Sequence, residues 1–197
     1  MSEKLLLLFV RNPELGKVKT RLAASVGPEK ALAIYKRLLE HTFAVTRELA
    51  VHKEVCYSDY LDEQDLWPSE LYAKRVQPDG DLGEKMEAVF ATAFEAGYNS
   101  VVIIGSDCLE LTPAILQQAY DELTRHDVVI GPAADGGYYL LGMNQLYPAL
   151  FRNKAWSTEQ VLPATLQDVK ALQLSHSLLP CLSDVDHAED LQHTGLL

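Results

Sequence analysis

Apolar residues along this chain follow two rhythms, short unbroken runs and longer stretches at helical spacing, and the two alternate. Lys4 to Val10 is the first run. Arg11-Asn12-Pro13 ends it, which is how a buried strand reads when it stops at a turn. After a Gly-containing loop, from about Glu29 to Leu49, Leu32, Tyr35, Leu38, Leu39, Thr42, Phe43, Val45 and Thr46 recur near the helical period with charges on the other face, which predicts a long amphipathic helix. Lys53 to Ser58 and Lys74 to Gln77 read as short strands. Met86, Val89, Phe90, Ala93 and Phe94 place a helix over Gly83 to Ala96, opened by a capping box of Asp81 and Glu84.

Ser100 to Ile104 is a β-branched run closed by Gly105, Thr112-Pro113 opens another helix, and Asp127 to Ile130 is a further strand. Tyr138 to Gly142 follows across a Gly-rich link too short for a crossover helix, so one antiparallel strand is expected in the sheet. Ser157 with Gln160 is expected to cap a helix reaching about Val169, Ala171 to His176 reads as the last strand, and Asp186 with Glu189 as a capping box for a terminal helix. The alternation predicts an α/β fold, a three-layer α/β/α sandwich with a mixed, mainly parallel sheet.

A chain of 197 residues that is 48% apolar fits one domain spanning residues 1–197. Its net charge of −11 repels phosphate backbones and anionic headgroups, so neither nucleic acid nor membrane is an expected partner. The longest apolar run, Leu5 to Val10, is too short to span a bilayer and precedes no cleavage-site pattern. Cys56, Cys108 and Cys181 lie far apart without a CxxC pair, which suggests neither a disulfide framework nor a structural zinc. A cytoplasmic setting is expected.

The charge is unevenly spread. Residues 1–21 carry five basic and two acidic side chains, so the rest of the chain is still more acidic than the total. The segment Arg11-Asn12-Pro13-Glu14-Leu15-Gly16-Lys17-Val18-Lys19-Thr20-Arg21 leaves a strand, turns on Gly16 and presents Lys17, Lys19 and Arg21, the parts needed to hold a polyphosphate. It matches neither GxGxxG nor GxxxxGK. A solvated basic loop is the competing reading.

Three further segments carry candidate chemistry. Asp107, just past the run ending at Ile104, stands where open α/β sheets bind ligands and is a hard oxygen donor suited to Mg²⁺ or Mn²⁺, or else it caps the turn. Neighbouring Cys108 has no base beside it and reads as packing. Asp135-Gly136-Gly137-Tyr138 makes either a tight hairpin or a turn whose bare backbone lets a ligand approach. In Asp184-Val185-Asp186-His187, Asp186 is either a helix cap or a metal ligand; a DxDx phosphatase motif is rejected because too little chain follows.

Together these segments resemble the nucleotide-diphospho-sugar transferase superfamily with the glycosyltransferase A fold. They are most similar to a small bacterial family of glycosyltransferase type with PGxVKTRL, GDLGERM, GSDCP, GPAxDGGYYL, WST and DVDTPEDL motifs. This sequence reads ELGKVKTRL from Glu14, GDLGEKM from Gly80, GSDCL from Gly105, GPAADGGYYLLG from Gly131, WST from Trp156 and DVDHAEDL from Asp184. Leu109 replaces a Pro and His187-Ala188 replaces Thr-Pro, which leaves the aspartates untouched but alters the turn after each.

The resemblance implies roles residue by residue. Arg11, Gly16, Lys17, Lys19 and Arg21 would hold the phosphates, with Gly80 and Gly83 bordering the nucleotide. Asp107, Lys17 and Asp135 would be catalytic. Asp107 and Asp186 would hold Mg²⁺ or Mn²⁺, and Gly136, Gly137, Tyr138, Trp156 and Ser157 would line the acceptor side. The expected partners are a nucleotide or nucleotide-sugar donor and a small-molecule acceptor. Glycosyl transfer is the first expectation, with nucleotidyl transfer releasing pyrophosphate as the alternative; both need a cation and Lys or Arg on the departing phosphates. A non-catalytic nucleotide-binding module is the reading from another class.

Overall fold

A computed structural model describes residues 3–193. Seven strands form one sheet: β1 (Lys4–Val10), β2 (His52–Tyr57), β3 (Ala73–Val76), β4 (Ser100–Ile104), β5 (Val128–Pro132), β6 (Tyr138–Met143) and β7 (His176–Leu178). Their spatial order is β3-β2-β1-β4-β6-β5-β7. Every pairing is parallel except the two made by β6, which runs against β4 and β5, as its short link to β5 demands. Strand order moves outward from β1 in one direction to β2 and β3 and in the other to β4, so the carboxyl ends of β1 and β4 are where the strand order reverses, the place at which open α/β sheets bind ligands.

Because β1 is covered on both sides, its alternate residues enter different layers. Leu6, Leu8 and Val10 join α1 (Thr20–Val26), α2 (Pro28–Thr46) and α4 (Pro113–Glu122) in one core. Leu5 and Leu7 join α3 (Leu82–Glu95), α5 (Val161–Ala171) and the 148–151 turn in the other. The result is a three-layer α/β/α sandwich. No helix among the described residues is long and apolar enough to cross a membrane.

Two helix starts follow their sequence signals closely. The Asp81 side chain accepts from Glu84 N while Glu84 returns the bond to Asp81 N, and Thr112 accepts from Ile115 N ahead of Pro113. Elsewhere the structure departs from the pattern. The segment taken as loop before α2 contains α1, a two-turn helix that buries Leu22 and is ended by Gly27-Pro28. The helix α2 stops at Thr46 rather than Leu49.

The Ser157–Gln160 box does not form. Ser157 has φ 63, and Gln160 is itself the residue before α5, with no side-chain cap. The buried spacing Val161, Thr165, Val169 carries that helix on to Ala171, and the chain reverses at Gln173 with φ 56, so β7 begins only at His176. The chain's last described element is a 3-10 turn over Glu189–His193 rather than an α-helix, and no Asp186–Glu189 box opens it. Asp190 supplies the carboxylate there, accepting from Asp186 N and His187 N, because the Asp186 side chain is turned elsewhere.

Candidate active site

The loop after β1 is tied down by two buried polar side chains. Asn12 (2% exposed) accepts from Asp59 N at 3.0 Å and donates to Tyr60 O at 2.9 Å, fixing the loop to the turn that follows β2. The Tyr35 hydroxyl, rising from α2, accepts from Arg11 N at 2.8 Å and lies 3.3 Å from Ser106 Oγ, joining this loop to the one after β4. Burial pushes the Tyr35 phenol up to about 12, so it stays a neutral strut. Neither residue stands out in the sequence, because both look like ordinary turn and helix positions.

A second convergence comes from the far end of the chain. Leu182 bridges Ala133 in parallel, and Val185 N donates to the Asp107 carbonyl at 2.9 Å. The segment 182–186 is thereby laid along the ends of β5 and β4. That brings Asp186 beside Asp107, although 79 positions separate them in the sequence.

What lies between the two carboxylates is Lys19. Its Nζ is 3.0 Å from Asp107 Oδ1 and 2.8 Å from Asp186 Oδ1, and its side chain is only 5% exposed. Lys19 precedes α1 in the left-handed conformation, φ 47 and ψ 47, which an L-residue adopts at a cost and which turns its side chain inward. Arg21 NH1 stands 3.6 Å from Asp186 Oδ2. Burial works against the charge on Lys19, but Asp107 and Asp186 outweigh it and hold its pKa above the usual lysine value. On Asp186 burial is likewise outweighed, chiefly by Lys19, and the carboxyl is held below the usual range.

Asp184, passed over in the sequence, belongs to the same cluster. Burial, then the charges of Asp107 and Asp135, push its carboxyl up to about 7, with Lys19 offsetting part of the effect. The signal was present in the Asp-Val-Asp spacing, which puts both side chains on one side of an extended segment. Asp107 and Asp186 thus hold one buried ammonium at this edge, with Asp184 close enough to feel its charge.

The other candidate residues are placed as follows. Lys17 is exposed and 2.6 Å from Glu14, whose hydrogen bond and charge raise its pKa. Arg11 and Gly16 are exposed on the same loop, and Arg21 is exposed in the first turn of α1. Asp135 accepts from Gly137 N at 2.9 Å, a tight turn at the same sheet edge as Asp107. Beside Gly136 (φ 88) the space of a missing Cβ is filled by the chain itself, since a Cβ there would lie 2.5 Å from Glu159 O. Tyr138 turns into the second core, where its hydroxyl is buried without a partner and its pKa is driven up by burial.

Gly83 also has a packing reason. A Cβ there would lie 2.3 Å from Phe151 O and 2.5 Å from Trp156 Nε1, so Gly83 is the seat of the Trp156 indole. Gly80 (φ 120) makes the turn before α3, and Ser157 is exposed. Burial pushes the Cys108 thiol up to about 12, in keeping with a packing role. A surface concavity of about 600 Å³ along α3 and Arg152 does not include Lys19, Asp107 or Asp186.

The donor set suits a hard divalent cation. Lys19 uses Oδ1 of each partner, and the Asp107 and Asp186 side chains, 42% and 37% exposed, remain accessible as hard oxygen donors. Among the described residues no three acidic, His or Cys side chains already stand as a ready ligand set. The fit is therefore that of an acidic edge completed by the ligand's own oxygens.

Residues 41–158, more than half of the chain, match the family described as "Uncharacterized protein conserved in bacteria (DUF2064)". The chain belongs to this family. The chain of a "putative nucleotide-diphospho-sugar transferase" from Desulfovibrio desulfuricans G20 is 31% identical, with a TM-score of 0.88 over 100% of this chain and 93% of that one. Two more distant structures share the fold. The inositol-1-phosphate CTP transferase from T. maritima is 11% identical (TM-score 0.60; 99% and 94% covered). A manganese complex of Rv0371C from Mycobacterium tuberculosis H37Rv is 13% identical (TM-score 0.54; 97% and 96% covered). No curated protein matches the sequence. This DUF2064 protein thus has the fold of nucleotide-utilising transferases.

Proposed function

We propose that this DUF2064 protein is a metal-dependent nucleotidylyltransferase of the cytoplasm. An oxygen of a phosphorylated small-molecule acceptor attacks the α-phosphorus of a nucleoside triphosphate in line, the bond from that phosphorus to the bridging oxygen breaks, and pyrophosphate leaves. One observation carries the reading: Asp107 and Asp186, from distant segments, meet on one cationic point at the carboxyl ends of the strands where the strand order reverses. The CTP transferase with this fold and the manganese-bound structure support nucleotidyl chemistry and a divalent ion.

In this mechanism Asp107 and Asp186 would hold Mg²⁺ or Mn²⁺, which when bound supplies charge neutralisation for the triphosphate. Lys17 and Arg11, exposed on the first loop, and Arg21, exposed in the first turn of α1, grip the phosphates, and Lys17 exchanges its partner Glu14 for the leaving pyrophosphate. Tyr35 and Asn12 keep that loop at the edge. Asp135, whose carboxylate accepts from Gly137 N in the turn before β6, would orient the acceptor by hydrogen bonding, with Gly136, Gly137 and Trp156 as further candidates for the acceptor side.

A glycosyl reading is favoured by the naming of the 31% identical relative. The products decide. With each of the four triphosphates, a panel of sugar and polyol phosphates and Mg²⁺, nucleotidyl transfer releases pyrophosphate; with nucleotide sugars, glycosyl transfer releases a nucleoside diphosphate. Release of neither pyrophosphate nor a nucleoside diphosphate, alongside tight nucleotide binding, would leave a binding module instead.

A further inference from the structure

The carboxylate pair that the proposed function assigns to a divalent ion already has a positive charge between its members. Lys19 Nζ is within 3.0 Å of both Asp107 and Asp186, closer than a simple neighbourly contact requires. The ammonium cannot drift away freely. Its side chain is 5% exposed, and its backbone is fixed left-handed at the start of α1, where Ala23 N donates to Lys19 O at 2.8 Å. By contrast Lys17 and Arg21, two residues to either side, have side chains 66% and 60% exposed and extend outward. The loop end and the first turn of α1 thus present alternate basic residues to solvent and keep the one between them for the carboxylates.

We propose that Lys19 is a tethered occupant of the cation position, which a divalent ion displaces only when a phosphate group offers the ammonium a new partner. The inference rests on the reading of Asp107 and Asp186 as the metal pair and concerns how that pair is filled. A free divalent ion arriving at the edge must compete with a charge already in place and leave that charge buried and unpaired, which is costly. A polyphosphate removes the obstacle, because its oxygens accept the ammonium at the same edge. Arg21, 3.6 Å from Asp186 Oδ2, is exposed enough to follow the phosphate too. The consequence is that metal and nucleotide enter together, by mutual stabilisation, rather than the metal being resident.

The test uses the full chain and Mn²⁺ alone, titrated by calorimetry and by the electron paramagnetic resonance of free Mn²⁺. Lys19→Met keeps the stem and removes the charge; Lys19→Arg keeps a charge. The expected result is Mn²⁺ binding at least tenfold tighter in Lys19→Met than in the wild type, no tightening in Lys19→Arg, and loss of the gain in Lys19→Met/Asp107→Asn. Adding inorganic pyrophosphate should narrow the gap between wild type and Lys19→Met. Equal or weaker Mn²⁺ binding in Lys19→Met, or a gap that pyrophosphate leaves unchanged, would overturn the inference. Lys19→Gln serves if Lys19→Met does not melt cooperatively. Were Lys19→Met/Asp107→Asn to bind Mn²⁺ as tightly as Lys19→Met does, the metal pair itself would be refuted and the proposed function with it; absence of turnover would leave these titrations readable.

Discussion

Asp184 gives the most demanding stability prediction. Burial, with the charges of Asp107 and Asp135, raises its carboxyl to about 7, against roughly 3.9 for an aspartate in an unfolded chain. Between those values the native state binds the extra proton, so this group makes stability fall as pH rises. Integrating the difference from pH 5 to pH 8 gives a loss of roughly 2.5 kcal/mol from this one group. Asp184→Asn keeps the shape, supplies a neutral group and removes that loss. Urea unfolding of both proteins in chelator at pH 5 and pH 8 measures it as a difference of differences, in which the remaining titrating groups largely cancel. The variant should gain on the wild type by about 2.5 kcal/mol between the two pH values. Parallel pH profiles, or a variant that loses ground at pH 8, would refute the buried-carboxylate account. A variant that gains stability and loses turnover would carry the mark of a charge kept for function.

Other perturbations have definite outcomes. Gly83→Ala forces a Cβ against Phe151 O and the Trp156 indole and should cost about 1–3 kcal/mol in urea unfolding, with a change in Trp fluorescence; a neutral result would contradict the packing described. Tyr35→Phe leaves Arg11 N without its acceptor and should cost about 1–3 kcal/mol and weaken nucleotide binding through the freed loop, read by calorimetry. Lys17→Ala should change stability by less than about 0.5 kcal/mol, because its contact with Glu14 is solvent-exposed, yet weaken nucleotide affinity about tenfold; unchanged affinity would make the residue a solvated charge only.

Legibility from sequence tracked the range of the interactions. The runs Lys4–Val10 and Ser100–Ile104, the Asp81–Glu84 box and the Thr112-Pro113 start are set by neighbours in the chain, and the structure has them where the pattern puts them. The antiparallel entry of β6 was readable because a link of a few residues leaves no alternative. The α1 helix was not, since it starts from a left-handed Lys19 whose side chain is bound to two distant carboxylates. Nor was β7, where the helical spacing of Val161, Thr165 and Val169 overrides the apparent run from Ala171. In the site, the pairing of Asp107 with Asp186 was implied by the family resemblance. The identity of the charge between them was not, because all three basic residues of the loop look alike in sequence.

Nucleotide-dependent release of pyrophosphate in Mg²⁺, compared between the wild type, Asp107→Asn and Asp186→Asn, tests the central claim most directly. Asn preserves size and hydrogen bonding, and the melting temperature of each variant checks the fold. Loss of the charge should lower the rate at least about a hundredfold in each, equivalent to roughly 2.7 kcal/mol of barrier. A wild-type rate in both variants would contradict the two-carboxylate site on which the account stands.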